Sequence, residues 1–92
     1  MTVTIKIVGD LRRFVDAETV EVCDTGCSLG TALDELIRLY PDVGSQLFDP
    51  QGRLHYASVL AARGRQLAWP ADEGVFIEDG DELLLTRFHA GG

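Results

Sequence analysis

The sequence predicts one two-layer α+β domain in which a mixed sheet of four or five strands packs on one main helix. Apolar and polar residues alternate near the amino terminus, apolar residues recur at helical spacing over residues 29–40, and an apolar run, 82–86, lies near the end. A single helix that follows a hairpin buries its apolar stripe most simply against one face of a sheet. The 92 residues suffice for one modest core.

The first two strands are predicted from period-2 alternation. Val3, Ile5 and Ile7 alternate with polar residues, and the pattern returns over residues 18–23. A loop containing Arg12 and Arg13 separates the two segments, and residues 24–26 form a turn after the second. We expect an antiparallel hairpin.

The main helix is predicted over residues 29–40, with Ser28 as its N-cap. Pro41 disfavours helical backbone at the residue before it, so we expect the helix to stop there. The predicted buried stripe consists of Leu29, Ala32, Leu33, Leu36, Ile37 and Tyr40.

The second half predicts turns and short strands. Asp49-Pro50-Gln51-Gly52 matches a type I turn, and strands are expected over residues 54–63 and 66–69 with Gly64 in the turn between them. A short apolar patch at 75–77 precedes the last strand, 82–86. We expect this last strand to run parallel to the first through a right-handed crossover.

Charge and hydropathy exclude several classes of function. Fifteen acidic residues against eight basic ones give a net charge of −7, and the basic residues are scattered. A nucleic-acid partner is therefore not expected, whereas a basic protein surface is. No apolar run approaches the roughly 20 residues that cross a bilayer, and the amino terminus lacks the pattern of a signal peptide. We expect a cytoplasmic protein that does not bind membranes.

Cys23 and Cys27 are the only cysteines. They supply two of the four ligands that a structural zinc ion or an iron–sulfur cluster requires, so we expect no metal site. The interpretation at this point is two reduced thiols, with Cys23 as a small core residue.

The chain ends in Gly91-Gly92 directly after Ala90. Glycine has no Cβ, so such a tail can place its terminal carboxylate in a slot that excludes side chains. We divide the chain into a domain, residues 1–88, and a flexible tail, residues 89–92. Terminal glycines are otherwise frayed ends without a role, and the diglycine alone does not decide between these interpretations.

Taken in order, these features resemble the ThiS/MoaD family of sulfur carriers, ubiquitin-like proteins with a β-grasp fold. The resemblance covers the full length, and the segment from Val43 to Arg53 makes it strongest to the longer MoaD and CysO type. Family tails usually contain a proline and small aliphatic residues, and this chain departs from them. The residues that carry the resemblance are Leu39-Tyr40-Pro41, Asp49-Pro50-Gln51-Gly52, Asp79-Gly80-Asp81-Glu82 and Ala90-Gly91-Gly92, and the departure is Arg87-Phe88-His89.

The resemblance implies a carrier and not an enzyme. A ubiquitin-activating-type adenylyltransferase would use ATP and Mg²⁺ to adenylate Gly92, a sulfur donor would form a thiocarboxylate, and an acceptor enzyme would receive the sulfur. The chain itself would bind no cofactor. Two alternatives stay open: a ubiquitin-like modifier that is conjugated through Gly92, and an interaction module whose tail has no role.

The last strand also predicts a docking surface. If Leu83 and Leu85 are buried, alternation directs Leu84, Thr86 and Phe88 to the sheet face opposite the helix. We expect these three residues to contact a partner. His89 is interpreted as a tail residue rather than a catalytic base.

Overall fold

The computed structural model describes residues 2–55 and 58–87. Their strands are β1 (Val3–Gly9), β2 (Thr19–Val22), β3 (Cys27–Ser28), β4 (Ser58–Ala62), β5 (Arg65–Leu67), β6 (Phe76–Ile77) and β7 (Glu82–Arg87). Their helices are α1 (Leu29–Leu39), α2 (Pro41–Leu47) and a 3-10 helix (Asp10–Phe14).

The main sheet has the strand order β2-β1-β7-β4-β5. β1 pairs antiparallel with β2 and parallel with β7, and β7 pairs antiparallel with β4. The predicted hairpin and the parallel pairing of first and last strands are therefore confirmed. β7 lies in the centre of this sheet, between β1 and β4.

The core lies between one face of this sheet and the helices. Alternate residues of β1 and β7 are fully buried there, and α1 buries its predicted stripe up to Leu36. The Thr31 backbone N–H donates to Ser28 Oγ at 3.2 Å, which confirms Ser28 as the N-cap. The largest fully buried side chains include Ile5, Ile7, Leu29, Leu33, Leu36, Leu60, Leu83 and Leu85.

The sequence prediction missed the second helix. Pro41 ends α1 as expected, but it also begins α2, because proline at the first helical position has no N–H that needs a partner. Val43 and Leu47, four residues apart, are both fully buried. The domain thus has two α-helices beside its sheet, where one main helix was expected.

Several strand boundaries also differ. The fourth strand begins at Ser58 rather than Leu54, which instead forms an isolated bridge with Phe48. The apolar patch at 75–77 contains β6, which pairs with β3 in a separate two-stranded sheet. No helix of the described chain is both long enough and apolar enough to cross a bilayer.

The prediction of reduced cysteines is wrong for this structure, in which Cys23 and Cys27 form a disulfide. Cys23 has a φ of 53° and Gly26 a φ of 91°, so the turn folds back on itself and the two cysteine Cα atoms are 6.0 Å apart. Cys23 is only partly buried beside the core. The disulfide links the end of β2 to the start of β3.

Candidate functional site

The residues of the predicted site fall into two groups. Phe88, Ala90, Gly91 and Gly92 lie outside the described residues, as does the boundary between residues 88 and 89. Leu84 and Thr86 lie in β7, and the described chain ends at Arg87, two residues before the predicted tail of residues 89–92 begins.

Arg87 is buried at the end of β7 and holds two other segments. Its Nε donates to Asp10 Oδ2 at 3.1 Å, and its Nη2 donates to the same oxygen. Its Nη1 donates to the backbone oxygen and to Oε1 of Gln46 in α2, each at 2.9 Å. The side chains of Arg87 and Asp10 are only 9% and 10% exposed. We call Arg87, Asp10 and Gln46 the Arg87 cluster.

Sequence reasoning missed the Arg87 cluster, although a signal was present. Alternation from buried Leu83 and Leu85 places residue 87 on the inward face, and an arginine there requires an acidic or carbonyl partner. The partner Asp10 follows β1, which runs parallel to β7, so both strands end at the same edge of the sheet.

Gly9 allows this edge to close tightly. It has a φ of 73°, and a Cβ on it would lie 2.8 Å from Thr86 Oγ1 and 3.1 Å from the Arg87 backbone oxygen. Any side chain at position 9 would therefore push β7 away from Asp10. Because Gly9 has no side chain, Asp10 can lie close to Arg87 at this edge of the sheet.

The sheet face opposite the helices, here the open face, carries Leu84. In the ladder Leu84 lies between Lys6 of β1 and Ala61 of β4, and all three are partly exposed. A depression of about 490 Å³ is lined by these residues and by charged ones that include Arg63 and Glu82. The open face thus combines a small apolar centre with charges of both signs.

The expectation for Thr86 needs correction. Thr86 is only 3% exposed, because it lies in register between Val8 and Val59 and its hydroxyl lies against Gly9. It therefore offers almost no area to a partner. Leu84 remains as the accessible apolar residue of β7 on the open face.

A second arginine cluster lies at the far end of β7. Arg63 Nε donates to Asp81 Oδ2 at 2.9 Å, and its Nη2 donates to Glu78. These hydrogen bonds, to Asp81 first and then to Glu78, raise the pKa of Arg63. The contacts join the turn between β4 and β5, where Arg63 has a φ of 54° and Gly64 one of 74°, to the loop before β7.

Several solved structures are similar to this chain over nearly all of its length. A crystal structure of SAMP1 from Haloferax volcanii has a TM-score of 0.83 and 29% identity, and the match covers 100% of both chains. The chain has a ubiquitin-like β-grasp fold, and in this fold it resembles the ThiS/MoaD sulfur carriers. No protein-family model matches it, and neither does any curated protein sequence.

More distant structures share this β-grasp fold. In the Amycolatopsis orientalis BexX/CysO complex, the match covers 98% of this chain and 99% of that one, with a TM-score of 0.77 and 21% identity. Urm1 from Trypanosoma brucei matches over 99% of this chain and 95% of its own, with a TM-score of 0.68 and 17% identity. At these identities the likeness shows the fold alone.

Proposed function

We propose that this chain is a sulfur carrier whose terminal carboxylate, on Gly92, is adenylated and then converted to a thiocarboxylate. The observation that supports the proposal is the sequence that follows the β-grasp sheet: the central strand β7 ends at Arg87, and Gly91 and Gly92 follow four and five positions later. The similar solved structures belong to small carrier and modifier proteins rather than to enzymes.

The chemistry needs two partners. One is an adenylyltransferase with ATP and Mg²⁺, in which a Gly92 carboxylate oxygen attacks the α-phosphorus and pyrophosphate leaves. Hydrosulfide then adds to the acyl carbon and AMP leaves with the C–O bond electrons, so the carbonyl reforms with sulfur in place of one oxygen. The other partner is the enzyme that accepts the sulfur. The chain supplies no base for these steps, and its role is to place the acyl carbon in the active site of each partner.

A second candidate is a protein modifier conjugated through Gly92. The likeness to the small archaeal modifier protein 1 of H. volcanii, at 29% identity, favours it specifically. Lys6 is the only lysine of this chain, and it lies on the open face beside Leu84. Conjugation of a second copy at Lys6 would therefore cover the surface we propose for docking, which disfavours long chains.

The tail is tested by ATP–pyrophosphate exchange with the adenylyltransferase. We expect exchange with the wild-type chain and none after deletion of Gly92. Gly91→Val should fold normally and lose exchange, because its side chain would enter the narrow slot around the tail. Gly74→Val is a matched control, since a Cβ at position 74 meets no atom within 4 Å. Full exchange by Gly91→Val would contradict the proposed slot.

The open face is tested by Leu84→Asp. Because Leu84 is only partly buried, we expect a modest loss of stability but a clear loss of affinity for the adenylyltransferase, measured by titration calorimetry. Thr31→Asp, at an exposed position of α1 on the other side of the sheet, is the control. If Leu84→Asp and Thr31→Asp bound the adenylyltransferase with equal affinity, the open face would not be the docking surface.

A further inference from the structure

The last described residue before the tail is also one of the most constrained side chains of the domain. Arg87 contacts Asp10, at the start of the 3-10 helix, and Gln46, within α2. Its guanidinium therefore ties the end of β7 to two other elements. A planar guanidinium that makes several directed hydrogen bonds fixes orientation more strictly than apolar packing does.

We propose that the Arg87 cluster fixes the direction in which the chain leaves the sheet after β7, and so acts as a positioning device for Gly92. The inference rests on the proposed function for its consequence, which is delivery of the carboxylate, but not for the cluster itself. We treat Asp10, Arg87 and Gln46 as positioning residues, because the role proposed for them acts through the direction of the chain and involves no bond change in their own side chains.

Ordering a flexible chain on binding costs free energy. Binding a tail in a slot loses conformational freedom, and a tail that leaves from a residue of fixed direction loses less. This smaller loss of conformational entropy affects the docking step, before any bond changes. Loss of the cluster should therefore raise KM for the carrier in the adenylation reaction and leave kcat nearly unchanged.

The first test needs no partner and uses trypsin, which cleaves after arginine. Trypsin must draw the Arg87 side chain into its own pocket, so the bond between Arg87 and Phe88 is cleaved only when the cluster opens. Asp10→Asn should accelerate loss of residues 88–92 by about tenfold or more, because it leaves the buried guanidinium without its ion-pair partner. Gln46→Ala, which removes only the Oε1 acceptor, should give a smaller acceleration.

Two controls separate opening of the cluster from general unfolding. Arg13 approaches the other oxygen of the same carboxylate, with Nη1 at 3.7 Å from Asp10 Oδ1, and its side chain is 76% exposed. Arg13→Met should leave cleavage after Arg87 unchanged. Cleavage after Arg38 in α1, followed by mass spectrometry in the same digest, reports unfolding of the domain. Equal acceleration at Arg38 and Arg87 in Asp10→Asn would overturn the inference.

The second test measures KM and kcat of adenylation for wild type, Asp10→Asn and Arg13→Met. We expect KM to rise about tenfold in Asp10→Asn alone, with kcat within about twofold. If wild type is adenylated and Asp10→Asn has the same KM, the positioning role is wrong while the proposed function stands. If wild type is not adenylated, the proposed function fails, and the trypsin result still decides whether the cluster holds the end of β7.

Discussion

The two arginine clusters use the same chemistry at opposite ends of β7, but in different surroundings. In the Arg87 cluster both charged side chains are at most 10% exposed, whereas Arg63 is 63% exposed and its partners Glu78 and Asp81 are 60% and 22% exposed. Water and salt screen an exposed ion pair, and they screen a buried one much less. The comparison teaches that burial, more than the number of hydrogen bonds, sets how strongly solvent weakens each cluster, and we expect the buried cluster to constrain its end of β7 more.

The two arginine clusters also differ in which elements they join. Arg63 joins two turns that lie before β7, so its loss disturbs only loops. Arg87 joins β7 itself to α2 and to the segment after β1. We therefore expect the effects in the next three predictions to become smaller as the charged pair becomes more exposed.

The largest effect is expected for Arg87→Met. The substitution removes the guanidinium that donates two hydrogen bonds to the buried Asp10 carboxylate, and breaking a buried ion pair costs about 3–5 kcal/mol of the free energy of unfolding. Arg13→Met removes only an exposed contact to the same carboxylate and should cost about 1 kcal/mol or less. Equilibrium unfolding in urea measures both. Similar values for the two variants would remove the distinction between buried and exposed contacts.

A smaller effect is expected for Arg63→Met, and it should shrink as salt is added. High salt should leave the cost of Arg87→Met almost unchanged, because that pair is shielded from solvent. Arg63→Asn should be less harmful than Arg63→Met, since asparagine tolerates the left-handed backbone, φ 54°, at this position. Thermal unfolding at low and high salt checks both statements. If the loss of stability caused by Arg63→Met did not depend on salt, the contrast between the exposed and the buried cluster would be wrong.

The smallest effect concerns a third pair, Arg53 and Asp49, in the turn of residues 49–52. The backbone N–H of Arg53, and then that of Gln51, hydrogen-bond to the Asp49 carboxylate and hold its pKa below the ordinary 3.8. A lowered pKa in the folded state means a stabilisation that is present above pH 3.8 and is lost as the pH falls through the folded value.

An NMR titration of the Asp49 carboxyl carbon tests this cause. The midpoint should lie below 3.8 in wild type and should remain below it in Arg53→Met, because the backbone donors persist. A return to the ordinary value in Arg53→Met would show that the charge of Arg53 dominates instead.

The sequence predicted the parts of the fold that depend on periodicity. Alternation in β1, β2 and β7 and the stripe of α1 identified the layers and the parallel central pair, since these patterns follow directly from one buried face. It did not predict α2, because Pro41 was interpreted only as a stop. The disulfide depends on a left-handed Cys23, which no periodic pattern reveals.

The site could be predicted only in part. Leu84 was placed on the correct face by alternation, but Thr86 is covered by its neighbours in adjacent strands, and exposure of that kind depends on tertiary packing. Alternation indicates that Arg87 points inward, but its partner Asp10 lies 77 positions away in sequence, so no local pattern identifies the pair. The reactive role of Gly92 remains a prediction.

The most direct test of the central claim is the intact mass of the chain after incubation with the adenylyltransferase, ATP, Mg²⁺ and sulfide. We predict that one oxygen is exchanged for one sulfur and that fragmentation locates the sulfur at Gly92. Cys23 and Cys27 provide a clear contrast, because hydrosulfide that opens their disulfide would leave a persulfide on one cysteine and a thiol on the other, which adds sulfur without loss of oxygen. An unchanged mass, or sulfur found on a cysteine and absent from Gly92, would contradict the proposal that this chain carries sulfur on its terminal carboxylate.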